Sequence, residues 1–392
     1  MKKKIVFSLL FICALLVFGV SCPLYIHYNP KPYPYPEPDP SPYDEEDRLS
    51  SWDSINQIIT KPDNWQRLVN DIDLFQLGDT VFKEVWDYEY PYPSEYSYYD
   101  SSYGTFPAID GSTVLLPLAA EFAWQFLDLS DENTRSFFYF STTHSAYRRL
   151  IGDYDDNNVY GRLEYFRNET KNKKYYDVYY FGRQPDIILA TSPSEAELNL
   201  AKSMGVALTI EPVCYDSFVF ITHIDNPVDN LTVEQIRGIY SGQIRNWKEV
   251  GGADEDIVAF QRGIGSGSQT AMEEMVMDGI SMMDAPVGWY VAAMGMLIDF
   301  VAEYQNEPNS IGYTFKYYVD RLYKNPKIKI IKINDVAPND ENVKNFSYPF
   351  VAPYNGVIRS SDINGTGGKF LNWMLSEEGQ KAITQAGYVT KD

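Results

Sequence analysis

From Phe106 onward the chain repeats one pattern: a short apolar run, a Ser/Thr/Gly turn, then an amphipathic stretch of helical length. Residues 108–113 lead into a predicted helix over 115–127. The run 137–140 leads through Ser141, Thr142, Thr143, His144 and Ser145 into 146–151. The run 187–190 leads through Thr191, Ser192 and Pro193 into 195–204. There Ser192 can cap, Pro193 suits the first helical position and Glu195 closes a capping box. The run 258–261 leads through residues 262–268 into 270–277. Strands alternating with helices predict an α/β protein with mostly parallel sheets. Upstream, 52–59 and 65–69 carry helix-like spacing, and a Tyr-rich stretch over 88–103 has no resolved period.

The N-terminus has a different pattern. Lys2, Lys3 and Lys4 precede an apolar run over 5–20, and Gly19 and Ser21 stand just before Cys22. This is an export-signal layout, shorter than the about 20 apolar residues a membrane-spanning helix needs. Gly19-Val20-Ser21-Cys22 resembles a bacterial lipobox, whose Cys is lipidated and becomes the mature N-terminus, although the usual Leu three residues earlier is absent. Every even position from Pro30 to Pro42 is proline. Such a run favours polyproline II at about 3.1 Å per residue, a stiff spacer of roughly 40 Å. The expected layout is a signal over 1–21, a lipid-anchored linker over 22–50 and an extra region over 51–104. With lipid on Cys22, Cys214 has no disulfide partner in the mature chain.

Composition narrows the chemistry. The 392 residues suffice for two or three domains, and a net charge of −21 argues against a nucleic-acid groove. Three His without HExxH, and three Cys without CxxC, leave no His-rich metal site, zinc ribbon or thioredoxin-type motif. No metal or cofactor is expected. An acidic loop from Asp153 to Glu164 partly mimics a calcium loop, but Asn158 stands where that loop demands Gly. Residues 263–268 lack the Lys-Ser/Thr of a P-loop, and no GxSxG elbow occurs. A phosphoester hydrolase would lack both a metal set and an evident nucleophile. The chain reads as a non-enzyme.

Helix N-termini with Ser, Thr and Gly suit an oxyanion through backbone N–H groups, hydroxyl donors and close backbone approach. The most specific loop places Arg262 beside Gly263, Gly265, Gly267, Ser266 and Ser268. Arg can grip an oxyanion with two parallel hydrogen bonds.

Around it lie Asp216-Ser217-Phe218-Val219-Phe220-Ile221, Asn226-Pro227-Val228-Asp229-Asn230-Leu231-Thr232 and Gln235-Ile236-Arg237-Gly238-Ile239-Tyr240-Ser241-Gly242. Asn246-Trp247-Lys248-Glu249-Val250-Gly251-Gly252, the run from Gln261 to Thr270, Ile311-Gly312-Tyr313, Leu375-Ser376-Glu377-Glu378-Gly379-Gln380 and Ala386-Gly387-Tyr388-Val389 continue the series. From residue 109 to 389 the chain thereby resembles the phosphate-binding proteins of bacterial phosphate-specific ABC transporters. The resemblance implies a type II periplasmic-binding-protein fold, with two α/β lobes joined by two crossover strands and closing on a ligand. Lobe one would be 105–214 plus 346–392, and lobe two 215–345.

Carried over, the ligand-binding set is Ser112, Thr113, Thr143, His144, Thr191, Arg262, Ser266, Gly267 and Ser268. His144 departs from the family's Gly/Ser composition, and Ser268 replaces a Thr. Thr191 stands where the family has an Asp that receives the phosphate proton, so weaker discrimination between protonated and fully ionised oxyanions is expected; were sulfate nevertheless excluded, Asp110 or Asp186 would have to guard the site. The implied partners are phosphate or a similar oxyanion, ABC permease subunits and a membrane reached through the N-terminal lipid. A monomer is expected. The acidic charge does not oppose this, because neutral dipoles and one Arg act at short range while exposed charge is screened over about 8–10 Å. The competing expectation is a surface sensor or interaction protein that keeps the fold without transport.

Overall fold

The computed structural model describes residues 59–69, 106–127, 131, 134, 140–153, 184–285, 294–304 and 308–390, plus the backbone of strands at 161–167 and 174–180. The export signal, Cys22, the proline spacer and the Tyr-rich stretch lie outside the described residues, as do 52–58, 137–139 and most of the acidic loop after Asp153.

The strands are β1 (Ile109–Gly111), β2 (Gly161–Arg167), β3 (Lys174–Tyr180), β4 (Ile187–Ala190), β5 (Leu208–His223), β6 (Asn230–Leu231), β7 (Val258–Ala259), β8 (Ser310–Phe315), β9 (Ile328–Ile330), β10 (Lys332–Ile333) and β11 (Val351–Arg359). The helices are α1 (Leu116–Leu127), α2 (Thr143–Ile151), α3 (Glu195–Ser203), α4 (Val233–Tyr240), α5 (Gly267–Ala271), α6 (Met294–Glu303), α7 (Asp340–Lys344), α8 (Thr366–Met374) and α9 (Glu377–Gln385).

One seven-stranded sheet runs β1–β4–β11–β5–β8–β7, with β9 also on β5. The 16-residue β5 changes partners along its length. Residues up to Ser217 pair with β11, and from Phe218 onward β5 pairs with β8 and β9. The expectation of mostly parallel sheets is therefore corrected. β1/β4 and β7/β8 are parallel, but every pairing of β5 and β11 is antiparallel. The reason is that β5 and β11 traverse the molecule as long strands, instead of each closing a strand–helix–strand unit. Register slips between Tyr354 and Asn355, which face Cys214 and Pro212. Pro212 has no N–H to give the ladder, and a bulge absorbs the defect.

The core is continuous across this sheet. Phe218, Phe220, Tyr313, Phe315 and Tyr354 are fully buried and meet edge-on or tilted. A second, smaller cluster of Ala146, Tyr147, Leu150, Ile188, Ala190, Ala201 and Val357 pins α2 and α3 to β4 and β11. Each large aliphatic side chain buried this way stabilises by about 1.5–3 kcal/mol. Cys214 is free and fully buried, and burial pushes its thiol well above the usual range.

Three local expectations shift. Residues 65–69 form no helix. The Leu68 and Val69 N–H groups donate to Gln125 Oε1 at 2.7 and 3.3 Å, and Trp65 Nε1 donates to Glu121. Side chains of α1 thus take donors that a helix would have used. The cap of α3 is Ser194 with Glu197, two residues beyond the Ser192–Glu195 pair that the sequence suggested. Its φ and ψ are extended, and Pro193 belongs to the approach. The helix expected over 270–277 starts at Gly267 and passes into a π turn over Met272–Met277.

At the point where β5 changes partners, Asp216 is buried. It accepts from Ser217 N at 2.7 Å, Tyr317 N at 3.1 Å and Tyr354 OH at 3.1 Å. Burial outweighs these bonds and nearby Lys316, and raises its pKa from 3.8 to about 7. The folded state then keeps a proton that the unfolded state has lost between those two values. This group's contribution is fully present below about pH 4 and is lost as pH rises through about 7. Asp216→Asn removes the titration. Its melting temperature minus that of the unaltered protein should rise from pH 5 to about 7 and level off above. A pH-independent difference would contradict the assignment.

Candidate functional site

The expected site residues lie after β1, after β4, at the start of α2 and after β7. β1 ends at Gly111, and the next residue, Ser112, donates its N–H to Leu189 O of β4 at 2.9 Å. Ser112 is buried, and Thr113 is half-buried at the start of a 3₁₀ turn. Thr191 follows β4 directly. Its carbonyl accepts from Tyr147 OH at 2.8 Å, while its buried hydroxyl has no partner. α2 opens at Thr143, four residues before Tyr147 and therefore on the same helix face. Thr142 before it has φ 80°, an outlier for a β-branched residue, at the turn that delivers Thr143.

The facing loop carries Arg262, Ser266, Gly267 and Ser268. The Arg262 N–H donates to Tyr313 OH at 3.0 Å and Gln269 Oε1 at 3.2 Å, which fixes the base of the loop. The guanidinium is buried, and burial pulls its pKa down to about 10 against the opposing pull of Tyr313 and Tyr318. It is still a cation at neutral pH. Ser266 Oγ accepts from Gln269 N at 3.2 Å as a helix cap, so that hydroxyl is committed as an acceptor. Ser268 is buried, and its hydroxyl has no partner.

The two sides touch through glycines. A methyl group on Gly267 would lie 2.7 Å from Thr143 Oγ1 and 2.7 Å from Thr191 Oγ1. Gly265, at φ +83°, lies under the His144 ring, whose Cγ would be 3.3 Å from a methyl there. Thr143, Thr191 and Gly267 thus converge, with His144 and Gly265 beside them. His144 Nδ1 is engaged by Glu197 Oε1 at 3.0 Å, leaving Nε2 for any ligand. Arg262, Ser266 and Ser268 share the Gly267 loop, and Ser112 is tied to the β4 end that carries Thr191. Two surface hollows, of about 430 Å³ beside Lys324 and about 80 Å³ beside Asp216, lie elsewhere. The site is marked by its polar groups.

The suggested guards are engaged. Asp110 Oδ1 accepts from Gly111 N and Ser141 N, both at 2.7 Å, and Oδ2 accepts from Ser141 Oγ and Arg149. Asp186 Oδ2 accepts from Ala108 N at 2.8 Å. Tyr147, Glu197, Gln269 and Tyr313 support the site and were missed in the sequence. The i, i+4 spacing of Thr143 and Tyr147 and the Ser194/Glu197 box were the signals available for the first two.

Residues 163–378 match the PBP superfamily domain. The phosphate-binding protein PstS of Bacillus subtilis is 29% identical over 167 residues, 42% of this chain and 52% of that protein. PstS of Borreliella burgdorferi is 26% identical over 180 residues, 45% of this chain and 63% of that protein. The match thus spans between half and two thirds of these curated relatives. A Clostridium perfringens protein assigned as a phosphate ABC transporter substrate-binding protein, solved with bound phosphate, superimposes with a TM-score of 0.51 at 25% identity. That superposition covers 72% of this chain and 98% of the other. The chain belongs to the PBP superfamily, and its fold is the mixed α/β fold of phosphate-binding proteins.

Gly267→Ala tests the close approach, since carbon and oxygen at 2.7 Å are well inside contact distance. The variant should fold with unchanged secondary structure but part the two sides. Amide hydrogen exchange over 143–147 should then quicken. Unchanged exchange would mean that the loop yields and the contact is not tight.

Proposed function

We propose that this member of the PBP superfamily is an extracytoplasmic lipoprotein that captures phosphate, or a similar tetrahedral oxyanion, between two lobes for an ABC importer. The observation that carries this reading is the pair of buried, unpartnered hydroxyls, Thr191 and Ser268, on turns that meet at Gly267. The relatives are phosphate-binding proteins, which points to phosphate, and the lobes would be 105–214 plus 346–392 and 215–345. In this reading Ser112, Thr113, Thr143 and Thr191 donate from lobe one, while Arg262, Ser266, Gly267 and Ser268 close from lobe two. His144 stands at the rim.

The mechanism follows from local physics. Hydroxyl and backbone donors in a water-excluded crevice are worth far more than the same donors in water. Arg262 supplies the positive charge where the ligand's negative charge arrives. β5 and β11 form the connection about which the lobes would close, and closure gives a permease a shape to read. No metal or cofactor enters, and one chain suffices. Among the described residues no helix is long and apolar enough to cross a membrane. Tethering is assigned to acyl chains on Cys22, from the lipobox-like Gly19-Val20-Ser21-Cys22.

Two measurements bear on this. Arg262→Ala should weaken phosphate binding by about 1.5–3 kcal/mol, the range for hydrogen bonds to a charged group. Calorimetry on both forms reads it. Equal affinity would make the loop structural, and silence of the unaltered protein towards phosphate would favour the sensor or interaction role. Cys22→Ser should release the protein from membranes and abolish fatty-acid labelling. Equal labelling of both forms would end the lipobox assignment.

A further inference from the structure

Which oxyanions the crevice admits depends on what its polar groups require of the ligand. Thr143, Thr191 and Ser268 present hydroxyls, and a hydroxyl can donate to a bare oxygen or accept from a protonated one. A carboxylate can only accept, so it would demand a ligand that brings a proton.

Three carboxylates near the crevice, Asp110, Glu197 and Asp186, are already engaged. Both oxygens of Asp110 are bonded, Oδ1 to the Gly111 and Ser141 N–H groups and Oδ2 to the Ser141 hydroxyl and Arg149. Glu197 spends Oε1 on His144 and Oε2 on Ser194 N at 2.8 Å. Asp186 holds Ala108 N. Glu195, Glu273 and Glu274 are exposed. Thr191 is buried at the meeting point itself, with its hydroxyl unspent.

We infer that this site binds fully ionised tetrahedral oxyanions, such as sulfate, about as readily as singly protonated ones, and that Thr191 sets this tolerance. The inference rests on the anion-capture reading above. A site built to bond a ligand hydroxyl rejects an analogue lacking it by about 10⁴–10⁵-fold. A site with no such requirement loses that discrimination, because no like charges are left facing each other.

The test is calorimetric titration of the full chain with phosphate and with sulfate at pH 7.5, followed by competition between them. Dissociation constants within about tenfold of each other support the inference. Phosphate binding that survives a thousandfold excess of sulfate overturns it while leaving phosphate capture intact. Sulfate binding without phosphate binding overturns it, since the two anions would then not bind alike, and removes phosphate as the ligand. No binding of either anion overturns both readings. Thr191→Asp should lose sulfate by at least about a hundredfold while keeping phosphate within about tenfold, since the new carboxylate demands a proton. Equal loss of both would make Thr191 merely structural. Thr191→Val serves if the Asp variant does not fold. It should melt at or above the temperature of the unaltered protein, having lost an unpartnered buried hydroxyl, yet bind both anions more weakly. Unchanged affinity for both would remove Thr191 from the site and overturn the inference.

Discussion

Burying a hydroxyl with no hydrogen-bond partner costs about 1–3 kcal/mol, and the protein does this at Thr191 and Ser268. Orphaned polar atoms also occur elsewhere among the described residues, at Thr222, Ser310 and Thr314 of β5 and β8 and at Tyr240, Asn309 and Trp373. Thr191 and Ser268 differ because they sit on separate segments that come together at Gly267, Thr191 beside it and Ser268 next to it in α5. On the proposed function a bound oxyanion repays that cost, and the two segments must be held in place.

That holding is done by packing. The small cluster around Tyr147, Leu150 and Ile188 fixes α2 and α3 against β4, so Thr143 and Thr191 arrive together. Tyr147 adds the bond to the Thr191 carbonyl and leaves the hydroxyl free to turn. On the other side, Tyr313 and Gln269 clamp the Arg262 backbone. Between the sides run β5 and β11, with Asp216 where β5 changes partners. Nearby, Tyr317 and Tyr388 stack at 4.0 Å and 9°, tying the C-terminal segment to the same junction. Upstream residues 59–69 belong to this body too, since Trp65 and Leu68 are bonded to Glu121 and Gln125 of α1.

Much of this was legible in the sequence. β4, α1 and the Arg262 loop fall where the apolar periodicity and turn residues put them, because local propensity and burial agree there. The residues that failed share a cause. The 65–69 stretch has helical spacing, but Gln125, distant in sequence, takes its N–H groups. Pro193 looks like a first helical residue, yet Ser194 with Glu197 makes the better box. The antiparallel course of β5 and β11 depends on partners more than a hundred residues apart, as Val351 pairs with Ser217. Spacing shows which face of an element is apolar; it does not show which remote side chain will claim a donor. Asp110 and Asp186 had the right charge for a guard, and only their hydrogen-bond partners show them engaged.

The account stands on where an anion sits, so a crystal structure of the full chain grown with phosphate tests it most directly. The expected result is one tetrahedral anion within hydrogen-bond distance of Thr191 Oγ1, Ser268 Oγ and the Arg262 guanidinium, with no carboxylate oxygen in contact. An anion bound elsewhere, or one held against a carboxylate of Asp110 or Asp186, would contradict it.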